Sequence, residues 1–355
     1  MVSSHPSPRY GLINDPHEAK RVRTTVSCRD ADEIPKVANA GELAVLNGVP
    51  VQVMHNGLLI YEGCYGGVWM TEVIRGLRGH HEPQQEAVFD AILRRLTSED
   101  PRLPTMVEFG SFWAYYTMWF AAALPKAKIV AMEPDPSSLE VGRRNVELNG
   151  LTNQVHFVPG MVGDHPGQLA TFIGENSEEE HAVLQYDLAS TLDVAGLERV
   201  DLVLADVQGA ETVLLRRALP LLTAARVRFL VVSTHHRSIS GDVLTHQRAL
   251  QLLTNAGAHV IAEHSVPESF SGDGLIAVSF DRRDADFTVR VSFARSKDCI
   301  FDEVEYELDA ETSRLASAQA AEHERDVLLK SASWRVTLPF RQVAALVKRG
   351  RAPHR

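Results

Sequence analysis

Two residues near the middle of the chain have types and a spacing that suit a nucleotide-like ligand. Gly110 follows the apolar run Thr105–Phe109, which predicts a buried strand, and Glu133 follows the next apolar run, Lys128–Met132, about 20 residues further on. A glycine after the first strand lets the backbone approach a ligand closely. A carboxylate after the second strand can accept hydrogen bonds from both hydroxyls of a ribose. The pair predicts a nucleoside-binding site, and the alternative is a tight turn beside a surface glutamate.

A second polar group follows the predicted strand Asp201–Ala205. Asp206 should face the cleft beyond the carboxyl ends of the strands, where open α/β sheets bind ligands. Its alternative role is to cap the next helix. Glu211 could close a capping box with Gln208, and we assign it that structural role.

A pair of histidines, His235 and His236, follows the predicted strand Val227–Ser233. A histidine at a strand's carboxyl end could take a proton from an acceptor near neutral pH. Adjacent residues of an extended segment point to opposite sides, so at most one of the pair faces the site. Asp206 with His235 could instead hold a divalent metal. No local spacing such as HxxxH supports that, and we predict no resident metal.

The segment before these motifs, residues 41–100, predicts a small α+β cap. An Asn-Gly step within His55–Gly57 lies between two β-prone runs and predicts a hairpin. Apolar residues recur at helical spacing from Glu82 to Leu96. If the cap closes over the cleft, His81 and Glu82 are its candidate contacts with an acceptor.

From residue 101 to 283 the pattern alternates between strand and helix, which predicts a mainly parallel, doubly wound sheet with helices on both faces. Further predicted strands are Val155–Val158, Gln168–Ile173, His259–Glu263 and Leu275–Phe280, and predicted helices are Trp113–Ala123, Ser137–Asn149, a helix from the Asp206 turn to Leu219 that ends at Pro220, and Asp242–Ala256.

The two ends of the chain differ from this body. Residues 1–40 are polar and predict a partly disordered segment. Residues 284–332 are acidic and predict a helical extension, whose acidic helix could pair with a second chain. Residues 333–355 are basic and predict an amphipathic tail opened by Pro339.

Composition narrows the class of protein. The net charge of −10 argues against nucleic-acid binding by bulk electrostatics. The three cysteines are far apart, as expected in a reducing cytosol. The start has no apolar core of signal-peptide length, and no run reaches the ~18 apolar residues of a membrane span. These features predict a cytoplasmic protein.

Together the motifs resemble the FkbM family of O-methyltransferases that use S-adenosylmethionine (SAM). The resemblance covers residues 105–280. It rests on order and spacing of these segments: Glu108–Gly110, Ala114–Thr117, Glu133–Pro136, Leu148–Gly150, Thr191–Asp193 and Asp206–Glu211. The chain departs from the family pattern at Phe112, Ala114, Ala205 and Gln208, where the family usually has Asn, Gly, Lys and Glu.

The resemblance implies a class I methyltransferase fold, SAM as cofactor and roles for particular residues. Those expected to bind the cofactor are Glu108, Gly110, Tyr116, Glu133, Met161 and Asp164, with Asp164 accepting from the adenine amino group. For catalysis, we expect His235 or His236 to be the base and Asp206 to orient that base or the acceptor hydroxyl.

The C-terminal segment Ser331–Arg341 resembles a tail found on enzymes of bacterial surface-polysaccharide assembly. This resemblance implies a glycan acceptor. The basic tail could sit on an anionic membrane surface at the inner face or dock on a glycan-assembly partner, or it could simply be solvated. Two other functions remain open: O-methylation of a macrolide-like or other small natural product, and a non-catalytic SAM-binding scaffold.

Overall fold

The computed structural model describes residues 8–99, 103–174 and 180–294, with five helical positions between 321 and 330. The chain divides into two units, Met1–Phe301 and Asp302–Arg355. The described positions of the second unit, Ala321, His323, Arg325, Val327 and Lys330, are exposed. The predicted basic tail, residues 333–355, lies outside the described residues. Among those residues, no helix combines the length and the apolar character needed to cross a bilayer.

The N-terminal part of the first unit contains three helices and an antiparallel sheet. They are α1 (Pro16–Ser27), β1 (Leu43–Leu46), β2 (Val49–Val53), β3 (Leu59–Tyr61), α2 (Gly67–Gly76) and α3 (Pro83–Glu99). The hairpin predicted at His55–Gly57 is confirmed, since the Gly57 amide donates to the Met54 carbonyl at 3.0 Å. Helix α1 was not foreseen within residues 1–40. Asp15 caps it, and it buries Val22 and Val26.

The central sheet has seven strands: β4 (Thr105–Phe109), β5 (Lys128–Glu133), β6 (Val155–Pro159), β10 (Val200–Ala205), β11 (Val227–Thr234), β12 (His259–His264) and β13 (Gly274–Ser279). Their order across the sheet is β12-β13-β11-β10-β4-β5-β6. Only β13 runs antiparallel to its neighbours. This arrangement confirms the predicted doubly wound, mainly parallel α/β sheet.

Two apolar cores cover the two faces of the sheet. The connecting helices are α4 (Tyr115–Ala123), α5 (Pro136–Leu148), α6 (Leu188–Ala195), α7 (Glu211–Thr223), the short α8 (Arg237–Ser240) and α9 (Thr245–Asn255). A small separate sheet, which the sequence indicated only through one arm, contains β7 (Met161–Val162), β8 (Leu169–Ile173) and β9 (Glu180–Tyr186) in the order β7-β9-β8.

The register of the central strands brings the predicted motifs to one edge. Phe109 at the end of β4 pairs with Met132 of β5 on one side and with Ala205 of β10 on the other. Ala205 in turn pairs with Val232 of β11. The residues that follow these strands therefore meet at the carboxyl edge of the sheet, where such folds bind ligands.

Two predicted helix limits are corrected. Pro220 lies inside α7 instead of ending it, because Leu221 and Leu222 beyond it are buried in the core and offset the lost backbone hydrogen bond. Helix α4 begins at Tyr115, two residues later than predicted, because Phe112 and Ala114 have φ angles of +36° and +61°.

The predicted acidic helical extension is also corrected at its start. Residues 285–294 contain no helix and run as an extended segment against the body of the unit. The Val289 amide donates to the Ile261 carbonyl at 2.9 Å, and the Ser292 amide donates to Asp30 at 2.7 Å. Most of the rest of the extension lies outside the described residues.

Candidate functional site

A cavity of about 770 Å³ opens at the carboxyl edge of the central sheet. One half is formed by the loops that follow β4, β5 and β6. The other half is formed by α1, by the start of α2 and the residues just before it, by the residues just before α3, and by the link between β12 and β13. We refer to these as the nucleoside half and the acceptor half. Of the predicted site residues, the cavity is lined by Glu108, Gly110, Tyr116, Glu133, Met161, Asp206, His81 and Glu82.

Glu133 lies in the nucleoside half and is 7% exposed. Its Oε2 accepts from the Phe112 amide and its Oε1 from the Asp135 amide, both at 3.0 Å. Each carboxylate oxygen can accept a further hydrogen bond. The nearby Ser111 hydroxyl is buried and has no hydrogen-bond partner among the described residues. These free acceptor and donor positions fit the ribose and the polar groups of a nucleoside cofactor.

Gly110 has a structural role in addition to the one expected for it. Its φ is +77°, and a β-carbon there would lie 1.7 Å from the Asp206 carbonyl oxygen. The glycine thus allows the loops after β4 and β10 to approach each other, which sets the position of Asp206.

Glu108 is held by the first turn of α4. Its Oε2 accepts from the Thr117 amide at 3.0 Å and from the Thr117 hydroxyl. Burial raises the pKa of Glu108 to about 8. The side chain borders the cavity while fixing the helix that carries Tyr115 and Tyr116.

Of the two residues predicted to lie near the adenine, Met161 and Asp164, only Met161 lies at the cavity. Asp164 is exposed. The backbone carbonyl of Asp164 accepts from the Arg217 guanidinium at 3.1 Å, which keeps this segment on the outside. Phe172 and Ile173, on β8, line the nucleoside half instead. No motif marked them, because β8 comes from the small separate sheet.

His235 lies among three carboxylates at the end of β11. Its Nε2 is 3.0 Å from Asp206 Oδ1 and 3.7 Å from Asp273 Oδ1, and its Nδ1 is 2.5 Å from Glu211 Oε1. Burial acts to lower the pKa of His235, but Asp273, Asp206 and Glu211 together raise it well above its usual value. The ring is therefore an imidazolium at neutral pH and cannot accept a proton from an acceptor.

This geometry revises the predicted base. His235 is placed to hold two cavity carboxylates, Asp206 and Asp273, against each other's repulsion. His236 does not line the cavity: it caps α8, and its Nδ1 is 2.9 Å from the Ser238 hydroxyl. As expected for adjacent residues, only one of the pair turns inward. Glu211 is structural, as predicted, although its partners are the Gly209 amide and His235 rather than a capping box with Gln208.

In the acceptor half, Glu82 is the centre of a second polar group. Its Oε2 accepts from the Tyr116 hydroxyl at 2.9 Å and lies 3.4 Å from His81 Nε2. Burial raises the pKa of Glu82 to about 7, since the carboxylate is removed from water and also faces Asp206 and Asp273. Tyr116 thus contacts this acceptor residue rather than the nucleoside half to which it was assigned.

Aromatic rings form the wall behind these polar groups. Tyr65 stacks on Trp113 at 5.1 Å, and Trp113 stacks on Tyr115 at 5.1 Å. His81 packs edge-on against Trp113 at 4.8 Å. Tyr65, Trp69, Arg21 and Asp273 also line the cavity and were missed, because no recognisable motif contains them.

A buried cluster behind this wall, His55, His80 and Glu86, is the one group of side chains among the described residues with the spacing of a metal site. Hydrogen bonds account for most of it. The Tyr115 hydroxyl donates to Glu86 Oε2 at 3.3 Å and lies 2.9 Å from His55 Nδ1, while His80 contacts Glu86. The cluster therefore connects the hairpin turn, the start of α3 and α4.

Several cavity groups have raised pKa values, and these predict how stability depends on pH. Burial raises the pKa of Glu82 and Glu133 to about 7 and that of Glu108 to about 8. The pKa of His81 and of His235 is raised by neighbouring carboxylates in spite of burial. In each case the folded state binds its proton more tightly than the unfolded state, so the stabilisation is lost as pH rises through the folded pKa. We expect the melting temperature of the cofactor-free protein to fall between pH 7 and pH 9, measured by scanning fluorimetry.

The matched variant for this prediction is Glu108→Gln, which removes the group with the highest pKa among the three carboxyls. Its melting temperature should depend less on pH in the same window. His55 and His264, whose pKa values are lowered by burial, affect stability only below about pH 6.5, where the unfolded histidines take up protons. A melting temperature that stays constant or rises toward pH 9 would contradict the prediction.

Comparison with known proteins gives one family and one partial relative. Residues 100–260 match the family model described as the methyltransferase FkbM domain. A catechol O-methyltransferase of Niastella koreensis is 37% identical over 65 residues, which are 18% of this chain and 29% of that protein. The chain thus spans less than a third of the length of that curated relative.

Solved structures are similar at low identity. The METTL16 MTase domain is 14% identical with a TM-score of 0.39, and the match covers 79% of this chain and 98% of that one. An O-methyltransferase from Bacillus cereus in complex with SAH is 15% identical with a TM-score of 0.34, and the match covers 54% and 80% of the two chains. At these values neither structure indicates an acceptor for this chain.

Proposed function

We propose that this chain, whose residues 100–260 match the methyltransferase FkbM domain, transfers the methyl group of SAM to oxygen, and that its acceptor is a sugar hydroxyl of a bacterial surface glycan or its precursor. The seven-stranded sheet with its one antiparallel strand is the class I methyltransferase arrangement. The nature of the acceptor is inferred from the other half of the cavity.

The observation that carries the proposal is that aromatic rings and carboxylates line the same cavity, in the acceptor half and at its boundary with the nucleoside half. Trp113 and Tyr65 form a stacked apolar wall, and Glu82, Asp206 and Asp273 lie along the same cavity. A sugar ring has apolar C–H faces that pack on aromatic rings and hydroxyls that donate to carboxylates. This combination favours a polyhydroxylated ring over a wholly apolar acceptor.

We expect Glu133 to accept hydrogen bonds from the two ribose hydroxyls of the cofactor. Ser111, Met161 and the loop after β4 line the cavity beside the expected cofactor position. When bound, SAM supplies a methyl group on a positively charged sulfur, and its departure leaves a neutral thioether. The protein therefore has to orient the acceptor, exclude water and remove one proton.

Proton removal is assigned to the Asp206 carboxylate. Asp206 follows β10 at the boundary between the two halves, and 29% of its side chain is exposed. His235 Nε2 lies 3.0 Å from Asp206 Oδ1 and orients the carboxylate, so that Oδ2 can accept the proton of an acceptor hydroxyl. In this proposal His235 positions the base and does not itself take the proton.

Location and partners are proposed from the sequence of the tail. Residues 333–355 carry basic residues without acidic partners, which suits contact with an anionic membrane surface or with a partner in glycan assembly. We propose a cytoplasmic protein that acts at the inner face of the membrane.

The test is a two-stage experiment on the full chain. Calorimetric titration with SAM and S-adenosylhomocysteine comes first, and micromolar binding is expected. Methyl-labelled SAM is then offered with saccharides, with catechol and with a macrolide. We expect label on a saccharide in an alkali-stable ether.

Each result has a clear meaning. Absence of cofactor binding by the wild type would favour a non-catalytic scaffold. Label found only on the catechol or the macrolide would overturn the glycan acceptor while leaving the methyltransferase intact, and alkali-labile label on the saccharide would indicate an ester.

A further inference from the structure

Arg21 is a cation of the cavity wall whose guanidinium makes no hydrogen bond or ion pair with the described residues. It extends from α1 into the acceptor half. Among the described residues that line the cavity, no other is a lysine or an arginine. Its Nε is buried without a hydrogen-bond partner, and no described carboxylate lies within ion-pair distance. A buried guanidinium N–H without an acceptor is costly, so the side chain is incomplete as it stands.

The other charged groups of the acceptor half already have partners. His235 is paired with Asp206 at 3.0 Å, and His81 lies 2.7 Å from Glu86 and 3.4 Å from Glu82. Arg21 contacts the face of Trp69, with its Cζ 4.5 Å from the ring centre. Stacking occupies the faces of the guanidinium and leaves its in-plane N–H groups available for two parallel hydrogen bonds.

A second feature lies at the same end of the cavity. Helix α2 begins beside Arg21, and its N-cap Gly66 lines the cavity. No side chain caps this end of the helix. The N-terminal end of α2, where the helix dipole favours negative charge, therefore lies beside the Arg21 guanidinium, which contacts Trp69 of the first turn.

We propose that Arg21 and the start of α2 bind an anionic oxygen group, a carboxylate or a phosphate, on the acceptor. The substrate class is then an acidic sugar or a sugar phosphate rather than a neutral saccharide. The proposal rests on the proposed function, because it assigns this group to the acceptor of that same site. The acidic end of the substrate lies at Arg21, and the hydroxyl to be methylated lies toward Asp206.

The test uses the full chain saturated with S-adenosylhomocysteine and three probes: D-glucuronate, glucose 1-phosphate and glucose. Dissociation constants are measured by ligand-observed NMR. A charged hydrogen-bonded pair contributes about 1.5–3 kcal/mol, so we expect at least one of the two anionic sugars to bind about 10- to 100-fold more tightly than glucose. Comparison of the two shows whether the site prefers a carboxylate or a phosphate.

Variants of α1 test the assignment to Arg21. Arg21→Gln should bind all three probes with similar affinity, and Arg21→Lys should keep part of the preference because it keeps the charge but loses the paired geometry. Arg23→Gln, at an exposed position of the same helix, is the matched control and should behave as the wild type. Binding of S-adenosylhomocysteine reports that each variant is folded.

The outcomes separate this inference from the proposed function. Failure of the wild type to bind S-adenosylhomocysteine would count against the methyltransferase site as a whole. If S-adenosylhomocysteine binds normally, any of three results overturns the role of Arg21 and leaves the proposed function in place. They are that glucose binds as tightly as the anionic sugars, that neither anionic sugar binds at tens of millimolar, or that Arg21→Gln keeps the preference for anionic sugars.

Discussion

Glu133→Ala is expected to weaken binding of SAM by roughly 10²- to 10⁴-fold, because a carboxylate that accepts from both ribose hydroxyls makes two charge-assisted hydrogen bonds of about 1.5–3 kcal/mol each. The side chain is buried at the end of β5, and each oxygen already accepts one backbone amide at 3.0 Å. The remaining acceptor positions face the nucleoside half of the cavity. Calorimetric titration with SAM and S-adenosylhomocysteine measures the loss directly.

Two further variants control for the structural bonds that Glu133 also makes. Glu133→Gln keeps an oxygen for one amide but loses the charge, so its affinity should lie between those of the wild type and the alanine variant. Glu140→Ala removes an exposed carboxylate from the neighbouring α5 and should leave the affinity unchanged. If Glu133→Ala remains folded and binds SAM within about threefold of the wild type, the ribose assignment is wrong.

The nucleoside half was largely predictable because its signals are local. Apolar runs fixed β4 and β5 to within a residue, and the residues that follow parallel strands meet at one edge whatever the rest of the chain does. Gly110, Glu133 and Asp206 were found in this way. The φ of Ala114 lies in the left-handed region that glycine adopts most readily, and the sequence did not show that alanine is accommodated there.

The acceptor half was less predictable because distant segments build it. Arg21 lies on a helix of low hydropathy that looked like part of a polar, partly disordered start, and packing of Val22 and Val26 holds this helix in place. Asp273 lies in a link between two strands and belongs to no motif. The spacing of residues cannot show that both meet Glu82 in one cavity.

The chemical role of His235 depends on charged neighbours from other elements, even though its position at the end of β11 was predicted correctly. The sequence placed His235 at the end of β11 and proposed it as a base because an isolated histidine titrates near neutral pH. Three carboxylates from other elements surround the ring and raise its pKa well above that range, after opposing the effect of burial. Two of them, Asp206 and Glu211, were known from the same motif, but their distances to His235 were not.

Asp206→Asn should lower kcat by about 10²- to 10⁴-fold, which is the usual contribution of a positioned base. The substitution keeps the shape of the side chain and removes its ability to accept a proton from the acceptor hydroxyl. His235 would keep its contacts with Glu211 and Asp273. Binding of SAM should remain within about threefold of the wild type, because the cofactor is assigned to Glu133. The measurement is transfer of labelled methyl to the acceptor found in the saccharide assay, with kcat and KM determined separately.

The control is Asp193→Asn, at an exposed position of α6, which should keep full activity. Retention of kcat within about tenfold by Asp206→Asn would show that another group takes the proton. The cavity then leaves two carboxyls for that role, Asp273 and Glu82. They can be distinguished by pH, because burial raises the pKa of Glu82 to about 7. A base with that pKa makes kcat fall as pH drops below about 7, and Glu82→Gln would remove this dependence together with the activity, whereas Asp273→Asn would leave the dependence in place.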